Sequence, residues 1–90
     1  MSAPVTVTVQ LFARLRELAG ASDVALAVPS PLSREALIEQ LVAALAKDGL
    51  RTALQAPNVR LALNEELVGD ELLTVAAGDR LAFLPPVTGG

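Results

Sequence analysis

Apolar and polar residues alternate strictly near the start of the chain. The apolar positions are Val5, Val7, Val9 and Leu11, separated by Thr6, Thr8 and Gln10. This period of two predicts a strand with one buried face. The same phase places Phe12 on the opposite, outer face. Residues 13–19 suit a short helix, which Gly20 would end.

The spacing becomes helical in the middle of the chain. Ser33 is a good N-cap, and Leu32 and Leu37 are placed to form a hydrophobic staple around it. One apolar stripe follows at helical spacing: Leu37, Ile38, Leu41, Val42 and Leu45. We expect Gly49 to end this helix, and residues 50–56 to hold another short turn.

Shorter alternating segments flank this helix. Three more strands are predicted, built on Val24, Leu26 and Val28, on Val59, Leu61 and Leu63, and on residues 80–84. In the last of these, Leu81 and Phe83 share one face, and Ala82 and Leu84 share the other. A turn over residues 64–66 leads to a short strand at 67–68. Residues 69–77 are expected to be irregular, with room for one helical turn.

The predicted order is strand, strand, helix, strand, short strand, strand. One amphipathic helix packed on a mixed sheet is an α+β arrangement. This order is that of the β-grasp, or ubiquitin-like, fold, in which the first and last strands are neighbours in mid-sheet. We therefore predict a β-grasp domain over residues 1–84, with about five strands and one main helix. A flexible tail over residues 85–90 would follow it.

Composition narrows the chemistry available to the side chains. The 90 residues include no Cys and no His, which excludes a catalytic thiol and imidazole catalysis and makes a zinc site unusual. The net charge of −3 and the two aromatic residues argue against nucleic-acid binding. We expect no cofactor or metal bound by this chain, and any chemistry to require another protein.

Two further expectations concern location. No apolar run reaches the roughly 18–20 residues needed to span a bilayer. The first ten residues, MSAPVTVTVQ, lack the basic stretch and apolar block of a signal peptide. We expect a cytoplasmic protein with no membrane partner.

The last six residues have an unusual composition. Pro85 and Pro86 cannot donate to a sheet ladder and favour an extended path, while Gly89 and Gly90 carry no side chain. Six extended residues reach about 20 Å. The segment is therefore expected to be a thin probe with a carboxylate at its tip, able to enter a narrow channel.

These residues also carry a family resemblance. Residues 81–90, LAFLPPVTGG, resemble the C-terminal signature of the small, MoaD-type sulfur-carrier subunits of molybdopterin synthase. Residues 11–18, LFARLREL, resemble the first strand and following turn of that family. Residues 61–68, LALNEELV, resemble its third strand and hairpin, and the similarity covers essentially the whole chain.

The resemblance implies a sulfur carrier. In that family a separate ATP-dependent, E1-like enzyme adenylates the terminal carboxylate, here that of Gly90, next to Gly89. Sulfur from a donor protein then replaces AMP and leaves a thiocarboxylate, a 1-thioglycine. The large subunit accepts the tail, and two rounds of sulfur transfer to cyclic pyranopterin monophosphate build the molybdopterin dithiolene. A heterotetramer of two small and two large subunits, with the catalytic side chains on the large ones, is expected.

The resemblance also implies partner-binding residues. The positions are Phe12, Leu67 and Leu84 on the domain, and Pro85, Pro86, Val87 and Thr88 in the tail. An exposed apolar cluster is typical of a contact surface. At Leu84 the family commonly has an aromatic residue. Nearby carboxylates fit either a solvated hairpin or docking to a basic partner: Glu65, Glu66, Asp70 and Glu71.

Two alternatives to a molybdopterin synthase subunit stay open. One is a related carrier for thiamine thiazole synthesis or tRNA thiolation. The other is a ubiquitin-like modifier joined through Gly90 to lysines of target proteins. The proline pair at residues 85–86 favours the first function, because thiazole-pathway carriers usually lack it.

Overall fold

The strand pattern of the sequence forms one mixed sheet. The computed structural model describes residues 3–85, which form five strands and three helices. The strands are β1 (Val5–Leu11), β2 (Asp23–Val28), β3 (Arg60–Leu63), β4 (Glu66–Val68) and β5 (Arg80–Leu84). The helices are α1 (Ala13–Ala19), α2 (Arg34–Leu45) and α3 (Leu50–Leu54). Within the described range, no helix is long and apolar enough to cross a membrane.

The sheet has the order β2-β1-β5-β3-β4. β1 and β5 are parallel neighbours, and β1 with β2, β3 with β4 and β3 with β5 pair antiparallel. The first and last strands therefore lie side by side in the interior of the sheet, as the β-grasp prediction requires. β5 ends at Leu84, as predicted. The separate tail over 85–90 stays a prediction, because residues 86–90 lie outside the described part of the chain.

The core lies on one face of this sheet. Val7, Val9 and Leu11 of β1 are almost completely buried, as are Leu81 and Phe83 of β5. They pack in one cluster with buried residues of the helices. No polar or charged residue of the described chain is buried. The alternation predicted for β1 and β5 is confirmed.

The main helix begins where the sequence predicts. The Ser33 hydroxyl accepts a hydrogen bond from the backbone N–H of Ala36 at 3.1 Å, and this satisfies one of the free donors of the first turn. Leu32 and Leu37 are both fully buried, as a staple requires. The bridge between Leu32 and Leu73 ties the entry of the helix to the irregular segment 69–77. That segment contains no helical turn.

The predicted end of this helix is wrong. α2 ends at Leu45, and Ala46 is the C-cap in the left-handed region, with φ of 50° and its N–H donated to the Val42 carbonyl. Gly49, with φ of 80°, instead precedes α3. The chain turns at Ala46 and again at Gly49. These two turns bring Leu50, at the start of α3, into the core, where it is fully buried.

Candidate docking face and the carboxyl-terminal segment

Strand register aligns the outward-facing side chains in rows across the sheet. Gln10 pairs with Ala82, Ala82 with Ala62, and Ala62 with Leu67. Because Leu11 pairs with Phe83 in the parallel ladder, Phe12 and Leu84 are neighbours at the next position toward the C-terminus. The register therefore gathers residues that are far apart in sequence.

The three predicted docking residues of the domain lie together. Phe12, Leu67 and Leu84 line one shallow depression of about 520 Å³ on the outer face of the sheet. We call the surface formed by these three residues the docking face. Phe12 is 41% exposed, Leu67 is 61% exposed, and Leu84 is partly buried. Phe12 and Leu84 lie on the outer face as predicted, and Leu67 lies beside them because β4 extends the sheet. Their role in binding a partner stays a prediction.

The β1–α1 junction holds Phe12 in place. Its carbonyl accepts hydrogen bonds from the N–H groups of Leu15 at 3.1 Å and Arg16 at 3.4 Å. Ala13 follows in the left-handed region, with φ of 50°, so the chain turns sharply after Phe12. Gly20 ends α1 in the left-handed region, as predicted. These contacts fix the backbone at Phe12, while its side chain stays exposed on the outer face.

Asn64 joins the β3–β4 hairpin to the start of β5. It occupies the turn with φ of 49°, and its side-chain oxygen accepts from the N–H of Arg80 at 2.9 Å. Its amide nitrogen donates to Asp79 at 3.2 Å, and Asp79 also accepts from the N–H of Ala76. This network fixes the hairpin that carries Leu67. Sequence reasoning placed Asn64 in the turn but missed its partners, which lie 15 and 16 residues away.

Four carboxylates are exposed in the β3–β4 hairpin and in the loop after β4. The exposed members are Glu65, Glu66, Asp70 and Glu71. Glu71 accepts a hydrogen bond from the N–H of Gly69 at 2.8 Å, which is a local loop contact. No group of three or more Asp or Glu in residues 3–85 is arranged to hold a metal ion. Of the four, Glu65 lines the depression that holds Phe12, Leu67 and Leu84, whereas Asp70 lines a separate cavity beside Arg34 and Ile38 of α2.

The chain leaves the sheet at Pro85. This residue is partly buried and lines a small groove of about 220 Å³ together with Leu15 and Leu18 of α1 and Ala53 of α3. The remaining predicted tail residues lie outside the described part of the chain: Pro86, Val87, Thr88, Gly89 and Gly90. The strand that leads into the tail thus also carries Leu84 of the docking face.

Comparison with known proteins shows the family to which this chain belongs. The sequence model of the ThiS family matches residues 9–90. The chain belongs to the ThiS family. A protein from Arabidopsis thaliana, named molybdopterin synthase sulfur carrier subunit, is 40% identical over 86 residues, covering 96% of this chain and 84% of that protein. A protein of the same name from Escherichia coli (strain K12) is 39% identical, covering 93% and 99%.

Solved structures share the fold of this ThiS family chain. The small archaeal modifier protein 1 of Haloferax volcanii superposes with a TM-score of 0.74 at 25% identity, covering 92% of this chain and 99% of that chain. A complex of subunits 1 and 2 of molybdopterin-converting factor from Helicobacter pylori contains a chain with a TM-score of 0.60 at 24% identity, covering 96% and 100%. The second likeness carries the fold alone. The predicted β-grasp fold is confirmed.

Proposed function

We propose that this chain is the sulfur carrier subunit of a molybdopterin synthase. The observation that carries the proposal is the similarity, over nearly the full chain, to proteins that bear this name. The PPVTGG ending and the apolar docking face support it. The partner on this view is the large subunit of the synthase, with two chains of each kind in the assembly.

The chemistry belongs to the carboxylate of Gly90. A carboxylate at neutral pH is a poor acyl donor, so a separate ATP-using, E1-like enzyme converts it to an acyl adenylate and releases pyrophosphate. A donor protein then supplies sulfur at the oxidation level of sulfide. This sulfur attacks the carbonyl carbon of Gly90, the bond to AMP breaks, and the chain ends in a thiocarboxylate. The terminal sulfur is a nucleophile of the kind that a Cys thiolate provides elsewhere. A chain without Cys can carry reactive sulfur in this way.

Transfer of sulfur takes place on the large subunit. The terminal sulfur attacks a side-chain carbon of cyclic pyranopterin monophosphate and displaces an oxygen substituent from it. Water then cleaves the bond between this sulfur and the carbonyl carbon of Gly90, which leaves the sulfur on the pterin and releases this chain with a free carboxylate. Two rounds supply the two sulfurs of the dithiolene. The catalytic side chains belong to the large subunit. Gly89 and Gly90 add no side-chain bulk to the extended segment that enters its site, and residues 85–88 contact that channel.

A second candidate is a ubiquitin-like modifier. The likeness to small archaeal modifier protein 1 favours it. In that case a lysine amine attacks the carbonyl carbon of Gly90 and keeps the protein as an isopeptide. The two functions differ in the acceptor and in the fate of this chain.

Reconstitution separates these functions. Thiocarboxylated protein is mixed with the large subunit and cyclic pyranopterin monophosphate, and molybdopterin is measured together with the mass of the recovered carrier. We expect molybdopterin and the free carboxylate form, with no accumulating protein adduct. Absence of molybdopterin, together with lysine conjugation or thiazole formation by the same charged protein, contradicts the proposal.

A further inference from the structure

A small apolar groove of about 220 Å³ lies where the chain leaves the sheet. Pro85 forms part of its lining, and the other apolar residues come from α1, from α3 and the turn after it, and from the residue before β3: Leu15, Leu18, Ala53, Ala56 and Val59. Leu84, the residue before Pro85, belongs to the docking face instead, so the two surfaces flank the end of β5. Apolar surface that stays in contact with water favours an apolar occupant.

Hydrogen bonds hold the walls of this groove. At the start of α1, the N–H of Leu15 donates to the Phe12 carbonyl at 3.1 Å. In the turn after α3, the N–H of Val59 donates to the Ala56 carbonyl at 3.1 Å. The two helices also pack against each other. Because little needs to be ordered on binding, an apolar side chain that enters the groove loses less affinity to conformational entropy.

The groove carries one kind of charge. Arg14 is the one charged residue among the described residues that line it. This arginine is exposed and forms no ion pair within residues 3–85, where the pair found joins Arg51 and Glu39. Complementary charges favour association. The lining therefore suits an apolar side chain that is attached to a negative charge.

Residues 86–90 have this composition, and they follow Pro85 directly. Val87 is their one branched aliphatic side chain, and the terminal carboxylate of Gly90 is their one charge. Val87 is two residues beyond Pro85, which is at most about 7 Å of chain. A segment attached at the rim of a site has an effective concentration of the order of millimolar. A weak contact is therefore enough to hold it there.

We propose that the groove receives the side chain of Val87 in the free protein, so that the domain holds its own C-terminal segment. An enzyme that acts on Gly90 then has to displace Val87 from the groove. Its apparent affinity is reduced by the fraction of the protein in which the segment is released. The contact does not depend on the proposed function, whereas this consequence rests on it.

Nuclear magnetic resonance of the purified full chain tests the contact with a matched pair of variants. Ala53→Leu fills the groove, whereas Ala44→Leu adds the same bulk at an exposed position of α2. In the wild type and in Ala44→Leu we expect nuclear Overhauser effects between the methyl groups of Val87 and Leu18, and a backbone order parameter of Val87 above about 0.6. Both should be lost in Ala53→Leu. If circular dichroism shows that Ala53→Leu does not fold, Ala56→Leu, in the same groove, takes its place.

Adenylation by the activating enzyme measures the consequence. The rate is followed with saturating ATP while the concentration of the carrier is varied. We expect Ala53→Leu to lower the KM for the carrier about tenfold with kcat unchanged, the ratio that burial of one valine side chain supports. Ala44→Leu should have the KM of the wild type.

The outcomes separate the groove from the function. If Val87 makes no contact with Leu18 in the wild type, or keeps that contact in a folded Ala53→Leu, the groove is not its site and the inference falls, while the proposed function still stands. An unchanged KM in Ala53→Leu would overturn the competition with the enzyme. A raised KM would mean that the enzyme itself occupies the groove, which also overturns the assignment. If Val87 contacts Leu18 but Gly90 acquires no sulfur, the contact stands and the proposed function fails.

Discussion

At the residue scale, exposure alone does not mark the docking face. Leu67 and Leu72 are exposed to a similar extent, 61% and 64%. Leu67 lies in a strand that the register places beside Ala62, whereas Leu72 lies in the irregular segment and does not line the depression. The sequence predicted Leu67 through its family resemblance, and the strand pairing explains why this leucine rather than the other joins Phe12 and Leu84.

The two leucines make a direct test of this difference. We expect Leu67→Asp to weaken binding to the large subunit by about 2 kcal/mol or more, and Leu72→Asp to have little effect. Both variants should remain folded by circular dichroism, because neither places a charge in the core. Equal loss of affinity in the two variants would mean that the depression is not the contact surface.

The Glu39–Arg51 pair gives a residue-scale prediction about pH. Two hydrogen bonds of 2.8 Å and 2.6 Å from the Arg51 guanidinium lower the pKa of Glu39 from its ordinary value of 4.5. A pKa that is lower in the folded than in the unfolded state stabilises the fold above the unfolded value. That contribution is lost as pH falls through the folded value.

Urea unfolding at pH values above and below 4.5 tests whether the Glu39–Arg51 pair stabilises the fold at neutral pH and loses this effect in acid. We expect Glu39→Gln to be less stable than the wild type at neutral pH, by a small amount because the pair is exposed. The difference should shrink as pH falls below 4.5. In an Arg51→Gln background the same substitution should change little, because its partner is gone. A difference that is constant with pH would contradict the account.

At the element scale, local signals predicted where elements begin better than where they end. Apolar–polar alternation predicted β1, and Ser33 as an N-cap predicted the start of α2. Each of these signals is contained in a few consecutive residues. The end of α2 was predicted wrongly because glycine is the usual left-handed cap, and here Ala46 takes that conformation. The chain turns at Ala46 because Leu50, at the start of α3, packs in the core and is fully buried.

Glycine substitutions test this end of α2. Ala46→Gly should stabilise the domain by up to about 1 kcal/mol, since glycine avoids the cost of a side chain in the left-handed region. Ala43→Gly, at an exposed position inside the same helix, should destabilise it by about 1 kcal/mol. Each kcal/mol corresponds to about 4–8 °C in Tm for a domain of this size. Destabilisation by both substitutions would show that Ala46 is not the cap.

At the scale of the whole molecule, β5 connects the core, the docking face and the C-terminal segment. Leu81 and Phe83 anchor it in the core, Ala82 and Leu84 contribute to the docking face, and Pro85 begins the segment that leads to Gly90. A partner bound to the outer face therefore lies close to Pro85, where the described part of the chain ends. The alternation within β5 was predictable from sequence. The direct pairing of Ala62 with Ala82 was not, because it depends on the register of strands that are distant in the chain.

The central claim is that Gly90 carries sulfur, and intact-mass spectrometry tests it most directly. The protein is incubated with ATP, the activating enzyme and a sulfur donor, beside a chain that lacks Gly90 and has the same circular dichroism spectrum. We expect the full chain to exchange one oxygen for one sulfur, located by fragmentation at Gly90, and the truncated chain to remain unchanged and to support no molybdopterin formation. A truncated chain that still acquires sulfur at its end and supports synthesis would contradict the account.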